Sequence, residues 1–394
     1  MQQIKIYSFL LLACILLTSS AYSQPNPITT AVPFLTIAPD ARGGGMGDAG
    51  VASTPDVYSL YWNPAKYAFC DKDFGVGIGY VPWLRGLVND IGLASVAAYK
   101  KFGDRQAVGV SLRYFSMGTV TFTDNQGLEL GEVKPNEWAI DATYARKFSP
   151  SFSGAVAGRF IYSNLVPVKY IEGVKPGTSV AADVSLYYHK ELEIKGLTSS
   201  LFCFGLDISN IGSKISYSSV AITSDFIPTN LRLGPSFTMD IDEYNRVSFM
   251  IDFNKLLVPT PPIYATDSLG NPIQGEIAKG KNPNVSPITG MIQSFYDAPG
   301  GFREELQEWT ISPAFEYWYN KLFSIRAGYF YENVDKGDRK FFTFGAGLRY
   351  NVFGIDFSYL VPVKNNNPLQ NTMQFTLVFN FDKAENKDKQ QTQE

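Results

Sequence analysis

The chain has 394 residues, a formal net charge of -3, one histidine and three cysteines. That balance excludes a basic nucleic-acid binder, a disulfide-stapled secreted domain and a histidine-rich metal centre. Its 29 Phe and 23 Tyr suit a lipid-facing surface with aromatic girdles.

Residues 1–23 carry one positive charge, Lys5, an apolar run from Ile6 to Leu17, and then small residues up to Ser23. This predicts a secretory signal peptide cut before Gln24. A lipoprotein-like box, Leu11-Leu12-Ala13-Cys14, falls too early, because cutting there leaves only a few apolar residues. No later stretch approaches the roughly 18–20 apolar residues of a membrane helix.

Residues 24–73 have no strand alternation and read as a compact plug or periplasmic segment. Within it, Asp40 and Arg42 are placed to pair or cap, and Gly43-Gly44-Gly45-Met46-Gly47 to turn tightly. Trp62 is an apolar anchor, and Asn63-Pro64 favours a turn.

From residue 74 to 381, period-two alternation predicts fourteen strands: 74–80, 91–100, 107–115, 137–147, 152–162, 179–189, 201–209, 230–240, 246–254, 309–318, 322–331, 340–350, 352–360 and 373–381. In the last, Met373, Phe375, Leu377, Phe379 and Phe381 share one face. After the first strand the connections run long, short, long, short, the rhythm of an outer-membrane barrel. The fold class is therefore an all-β, 14-stranded antiparallel transmembrane barrel, with both termini expected in the periplasm. Residues 382–394 are polar and aperiodic and read as a disordered tail.

Opposite the apolar faces lie Arg113, Asp141, Arg159, Asp183, Asp207, Arg232 and Asp252, one on each of seven consecutive strands. Hairpin symmetry pairs Arg159 with Asp183 and Asp207 with Arg232, and adds Glu316–Arg326 and Arg349–Asp356. Such a belt braces the lumen; its alternative reading is a polar permeation path. The connection 255–308 reads as a folded cap with short helices near Ile288–Tyr296 and Phe302–Gln307, or as a docking surface. No catalytic triad, metal cluster or phosphate loop is apparent, His189 sits at a strand end near the periplasmic rim, and no enzyme activity or cofactor is expected.

One stretch resembles a known family. Leu35-x-Ile37-x-Pro39-Asp40-Ala41-Arg42, then Gly43-Gly44-Gly45-Met46-Gly47, then Trp62-Asn63-Pro64-Ala65 is similar to the start of the PorV (LptO) proteins. These are outer-membrane components of the type IX secretion system of Bacteroidota, similar in turn to the FadL-like barrels. The resemblance implies a non-catalytic shuttle embedded in outer-membrane lipid. Its partners would be the C-terminal signal domain of secreted cargo, the giant translocon SprA (also called Sov), and an attachment complex containing PorU. Cargo contact is expected on loops 255–308 and 116–135. The alternative is a FadL-like channel taking up hydrophobic small molecules.

Overall fold

The computed structural model describes residues 26–382 apart from 125, 166–172, 221–223, 270 and 366. The expected leader (1–23) and nearly all of the expected tail lie outside the described residues. Fourteen strands close into one barrel. They are β1 (Phe74–Pro82), β2 (Ile91–Phe102), β3 (Gln106–Met117), β4 (Asn136–Ser149), β5 (Phe152–Asn164), β6 (Gly177–Leu192) and β7 (Ser199–Gly212). Then come β8 (Asn230–Asp240), β9 (Asn245–Leu256), β10 (Trp309–Tyr319), β11 (Phe323–Tyr331), β12 (Lys340–Tyr350), β13 (Phe353–Pro362) and β14 (Met373–Phe381). All neighbours are antiparallel, and β1 closes on β14, with Phe74 opposite Phe381 and Tyr80 opposite Phe375.

Alternation decides which side chains face lipid. On β6, Val180, Val184 and Leu186 are exposed, while Ser179, Asp183, Ser185 and Tyr187 are buried inside. Directly opposed aromatics reinforce the outer surface: the rings of Phe249 and Phe315, and of Phe357 and Phe375, are each 5.3 Å apart. Cross-strand aromatic pairs of this kind each add about 0.5–1 kcal/mol.

One rim carries only short turns, 103–105, 150–151, 193–198, 241–244, 320–322 and 351–352. The other carries every long connection, including two hairpins that stand off the barrel: Val120–Thr123 with Glu129–Val133, and Ile263–Thr266 with Pro272–Lys279. Neither hairpin was foreseen from sequence. The long connection also begins later than expected, since β9 runs on to Leu256 and takes Lys255 into the wall.

Residues 26–73 occupy the lumen from one rim to the other. At the long-loop rim, the Asn26 N–H donates to Asp335 O (2.9 Å), its side-chain amide to Pro261 O (3.0 Å), and the Ala31 N–H to Phe226 O (2.9 Å). At the short-turn rim, the Asp73 N–H donates to Phe381 O (3.1 Å) and Lys101 N–H to Asp73 O (2.7 Å). Asn26 and Asp382, the first and last described residues, stand at opposite rims, because the plug is threaded lengthwise. Its core is shared with the wall. Val32, Phe34 and Leu35 pack on Val81, Leu93, Phe115 and Ile161. Nearer the short turns, Val57, Leu60, Trp62 and Tyr67 meet Ala97, Tyr99, Ala107, Ala145 and Tyr187. Alanine and serine at inward strand positions leave the volume that the plug fills.

Candidate functional site: the plug, its seat and the loop face

The plug motif folds around one carboxylate. Asp40 has extended backbone and caps the helical turn Ala41–Gly44, its Oδ2 accepting from the Gly43 N–H (2.8 Å). Its Oδ1 accepts from Trp62 Nε1 (2.7 Å), which lays the indole over Gly43. A Cβ at Gly43 would stand 2.1 Å from that ring. Asn63 caps the following 3-10 turn, Pro64–Phe69, accepting from Ala65 N–H (3.1 Å), and donates to Val51 O (3.1 Å) and Leu186 O (2.9 Å). Pro39 O accepts from Ser95 on β2 (3.0 Å), and Met46 is buried against Met250 and Ala314.

Arg42 does not pair with Asp40. Its Nε and Nη2 donate to the two oxygens of Glu316 (3.0 and 2.8 Å), and its Nη1 reaches Asp56 (2.9 Å) and Thr54 O (3.0 Å). Glu316 also accepts from Arg326 (2.7 Å), which reaches Asp356 (2.8 Å), which takes Arg349 (2.6 Å). Charges therefore alternate from plug through β10, β11, β13 and β12. Bidentate arginine–carboxylate geometry makes the first of these links directional as well as strong.

The plug and wall also meet backbone to backbone. Gly47 has φ +66 and donates to Thr343 Oγ1 (2.7 Å). A Cβ on Gly328 of β11 would stand 2.2 Å from Gly47 N and from Met46 C, and one on Gly205 of β7 would stand 2.1 Å from Val51 O. These wall glycines were not singled out in the sequence; glycine at an inward strand position is the signal that could have found them.

The seven-residue charge belt lies inside, and all seven side chains are buried. Arg159 links Asp141 and Asp183 (2.9 Å to the latter) and also reaches Asn210. Arg113 touches Asp141 at 3.4 Å. Asp252 belongs to the plug, accepting from Gly50 N–H (2.8 Å) and Val51 N–H (2.9 Å). Asp207 and Arg232 are direct register partners, yet they do not form the expected ion pair. Arg232 instead donates to Asn254 Oδ1 (2.8 Å) and Tyr61 O (3.1 Å), because the plug offers a carbonyl at that level.

At the long-loop rim, residues 257–308 form a cap latched by charge. Lys255 reaches Glu305 (3.1 Å) and Glu308, while Lys336 reaches Glu304 (2.6 Å) and Glu308 (3.0 Å). The helices Pro287–Gln293 and Phe302–Gln307 leave Ile288, Ile292, Phe302 and Leu306 exposed, and the turn between them leaves Phe295 and Tyr296 exposed. A cluster of exposed large apolar side chains on a fixed scaffold is suited to contact.

The cap contains a pH-sensitive group. Burial, aided by Glu305 and Glu308, raises the Asp297 carboxyl from its ordinary 3.8 to about 6, against hydrogen bonds from Thr260 N–H and Gln293. A carboxyl that keeps its proton to higher pH in the closed cap favours closure at low pH. That contribution is full below pH about 4 and lost as pH rises through about 6. The carboxylates latched by Lys255 and Lys336 act in the opposite sense, since they lose their charge towards pH 4, so the Asp297 part is read by difference. On going from pH 4 to pH 6.5, the opening frequency of 287–307 by hydrogen exchange, corrected for intrinsic rates, should increase more in the wild type than in Asp297→Asn, and equal pH slopes would refute the assignment.

His189 contacts Pro150 O (3.1 Å) and lies against Phe69, with ring centroids 4.2 Å apart. Among the described residues no group of three potential ligands is placed to hold a metal.

A closed, apolar-sided fourteen-stranded barrel filled by its own N-terminal segment defines an outer-membrane β-barrel protein. The profile of the family described as type IX secretion system protein PorV matches residues 20–263, more than half of the chain. The chain belongs to that family. No curated protein matches it. Among solved structures it is similar to the toluene transporter TodX of Pseudomonas putida, at 11% identity over 90% of this chain and 98% of that one, with a TM-score of 0.45. It is also similar to a FadL homologue of Pseudomonas aeruginosa, at 13% identity over 91% of this chain and 100% of that one, with a TM-score of 0.44.

Proposed function

We propose that this barrel is a shuttle of type IX secretion. It receives the C-terminal signal domain of secreted cargo at the SprA (Sov)-like translocon and passes it to a PorU-like attachment complex. The observation that carries this reading is the plug. It runs through the lumen from rim to rim and is tied to wall residues by buried charge and by backbone contact. The working surface is then the long-loop face, where the latched cap holds an exposed apolar cluster. Membership of the PorV family supports the system, and the loops supply the surface. In this reading the short-turn rim faces the periplasm and the cap faces outward. The protein does no covalent chemistry, and outer-membrane lipid surrounds it.

Affinity purification of the tagged protein from gently solubilised outer membranes tests this. A very large barrel protein, or secreted proteins still carrying their signal domain, should co-purify. Phe302→Ser with Leu306→Ser should reduce cargo recovery at least fivefold while leaving the barrel folded. Recovery of the barrel alone with a lipid in its lumen would replace this reading with FadL-like uptake.

A further inference from the structure

Within the lumen, between the first residues of the plug and its later part, lies a cavity of about 470 Å3. Pro27–Thr30, Pro33, Leu35 and Thr36 line it from one part of the plug, Tyr61 and Asp48 from the other, and Arg113, Arg232 and Asn254 from the wall. Two guanidiniums meet one ring there: Arg113 lies 5.4 Å and Arg232 5.2 Å from the Tyr61 centroid, and Arg232 also covers Trp62 at 4.7 Å.

Arg232 is only 9% exposed. Among the described residues no ion pair holds it; its donors go to an amide oxygen and a carbonyl. Arg113 is 3% exposed, and its Nε has no partner among the described residues. Two acids stand near Arg232 without bonding to it, Asp48 in the cavity lining and Asp207 at its register position; the others are held by further partners. Asp141 and Asp183 hold Arg159, and Asp141 also meets Arg113 at 3.4 Å; Asp252 holds plug N–H groups, Glu308 holds two lysines and Glu332 holds Arg339. A buried guanidinium that no carboxylate touches is costly unless an anion answers it. Asn254 has its oxygen facing Arg232, which leaves its amide N–H groups as further donors.

We infer that this cavity binds one carboxylate group, held by Arg232 with Arg113 alongside. A carboxylate suits the guanidinium fork. A doubly charged phosphate suits it less, because Asp48, Glu308 and Glu332 also line the space. Leu35, Leu256 and Phe330 offer apolar wall to whatever carries the group. The carrier is either a small free acid or the carboxylate end of a longer chain. Thr29, Thr30 and Pro33 line both this cavity and a wider groove of about 720 Å3 at the loop face. The segment 27–36 is therefore the partition between them, and its displacement joins the two. The site stands independently of the secretion reading.

Titration calorimetry on the purified full-length protein tests it, with three probes: pentanoate, a neutral hexapeptide with a free C-terminal carboxylate, and the same peptide amidated. At least one carboxylate probe should bind saturably, and Arg232→Gln should weaken it tenfold or more. Lys72→Gln, at the opposite rim, should leave it unchanged. Pentanoate binding identifies a small acid; binding of the acid peptide but not pentanoate or the amide identifies a chain end. No binding by any probe, equal binding of acid and amide peptides, or full affinity in Arg232→Gln would overturn the site. A melting scan confirms that the variant is folded. If it is not, Asn254→Leu serves, with at least a threefold loss expected and an unchanged affinity counting against the site.

Discussion

Arg42→Met should destabilise the protein by about 3–5 kcal/mol, the usual cost of leaving one member of a buried ion pair unanswered. Arg42 is 7% exposed and engages Glu316 through two nitrogens and Asp56 through a third. Its removal leaves Glu316, 1% exposed, with Arg326 alone. Methionine keeps much of the volume and none of the charge, so the loss is electrostatic rather than a cavity. Urea unfolding in detergent micelles measures it directly. The double variant Arg42→Met/Glu316→Gln should regain part of the loss, because the stranded carboxylate is then gone. A single-variant effect below about 1 kcal/mol, in the range of an exposed pair, would show that Arg42 does not anchor the plug. Planar bilayers should also show raised conductance from the single variant, as the plug loses its tie to β10.

Gly328→Val should have an effect of similar size through a different cause. The new Cβ would stand 2.2 Å from Gly47 N and from Met46 C. Both are backbone atoms, so no rotamer change can relieve the clash, and either the plug or β11 must move. Ordinary overpacking costs about 1–3 kcal/mol, and a clash with fixed backbone on the far side should exceed that range. The matched control is Gly158→Val on β5, where an added Cβ meets nothing within 4 Å. That change should be neutral or slightly stabilising, since valine favours strand geometry. Melting temperatures of the two variants decide the matter. Equal values would mean that the close approach of plug and wall is not a constraint.

The barrel was legible because its signal is local and periodic. Strands such as β6 alternate Val180, Val184 and Leu186 outward with Ser179, Asp183 and Ser185 inward, and each predicted strand segment coincides with a barrel strand. The hairpins at 120–133 and 263–279 escaped notice because neither face is regularly buried, so they carry no clean alternation. The motif 39–64 was legible as unusual, but its partners were not. Arg42 and Glu316 are 274 residues apart, and nothing in either neighbourhood points to the other. Turn symmetry placed Asp207 opposite Arg232, yet register fixes backbone levels rather than side-chain choice. Arg232 turned to a plug carbonyl that no strand pattern could reveal.

The lengthwise course of residues 26–73 constrains the order of assembly. The segment enters at the cap side, held by Asp335 and Pro261, and leaves at the opposite end, where β1 and β14 join. Once that seam has zipped, the segment could enter or leave only by drawing a free end through a lumen packed with side chains. Plug docking must therefore proceed while the seam is open. The pairing of Phe74 with Phe381, which joins the two barrel strands farthest apart in sequence, is then the final step. A peptide spanning 26–73, added to a barrel already closed without it, should fail to restore the native melting profile. Addition before refolding should succeed.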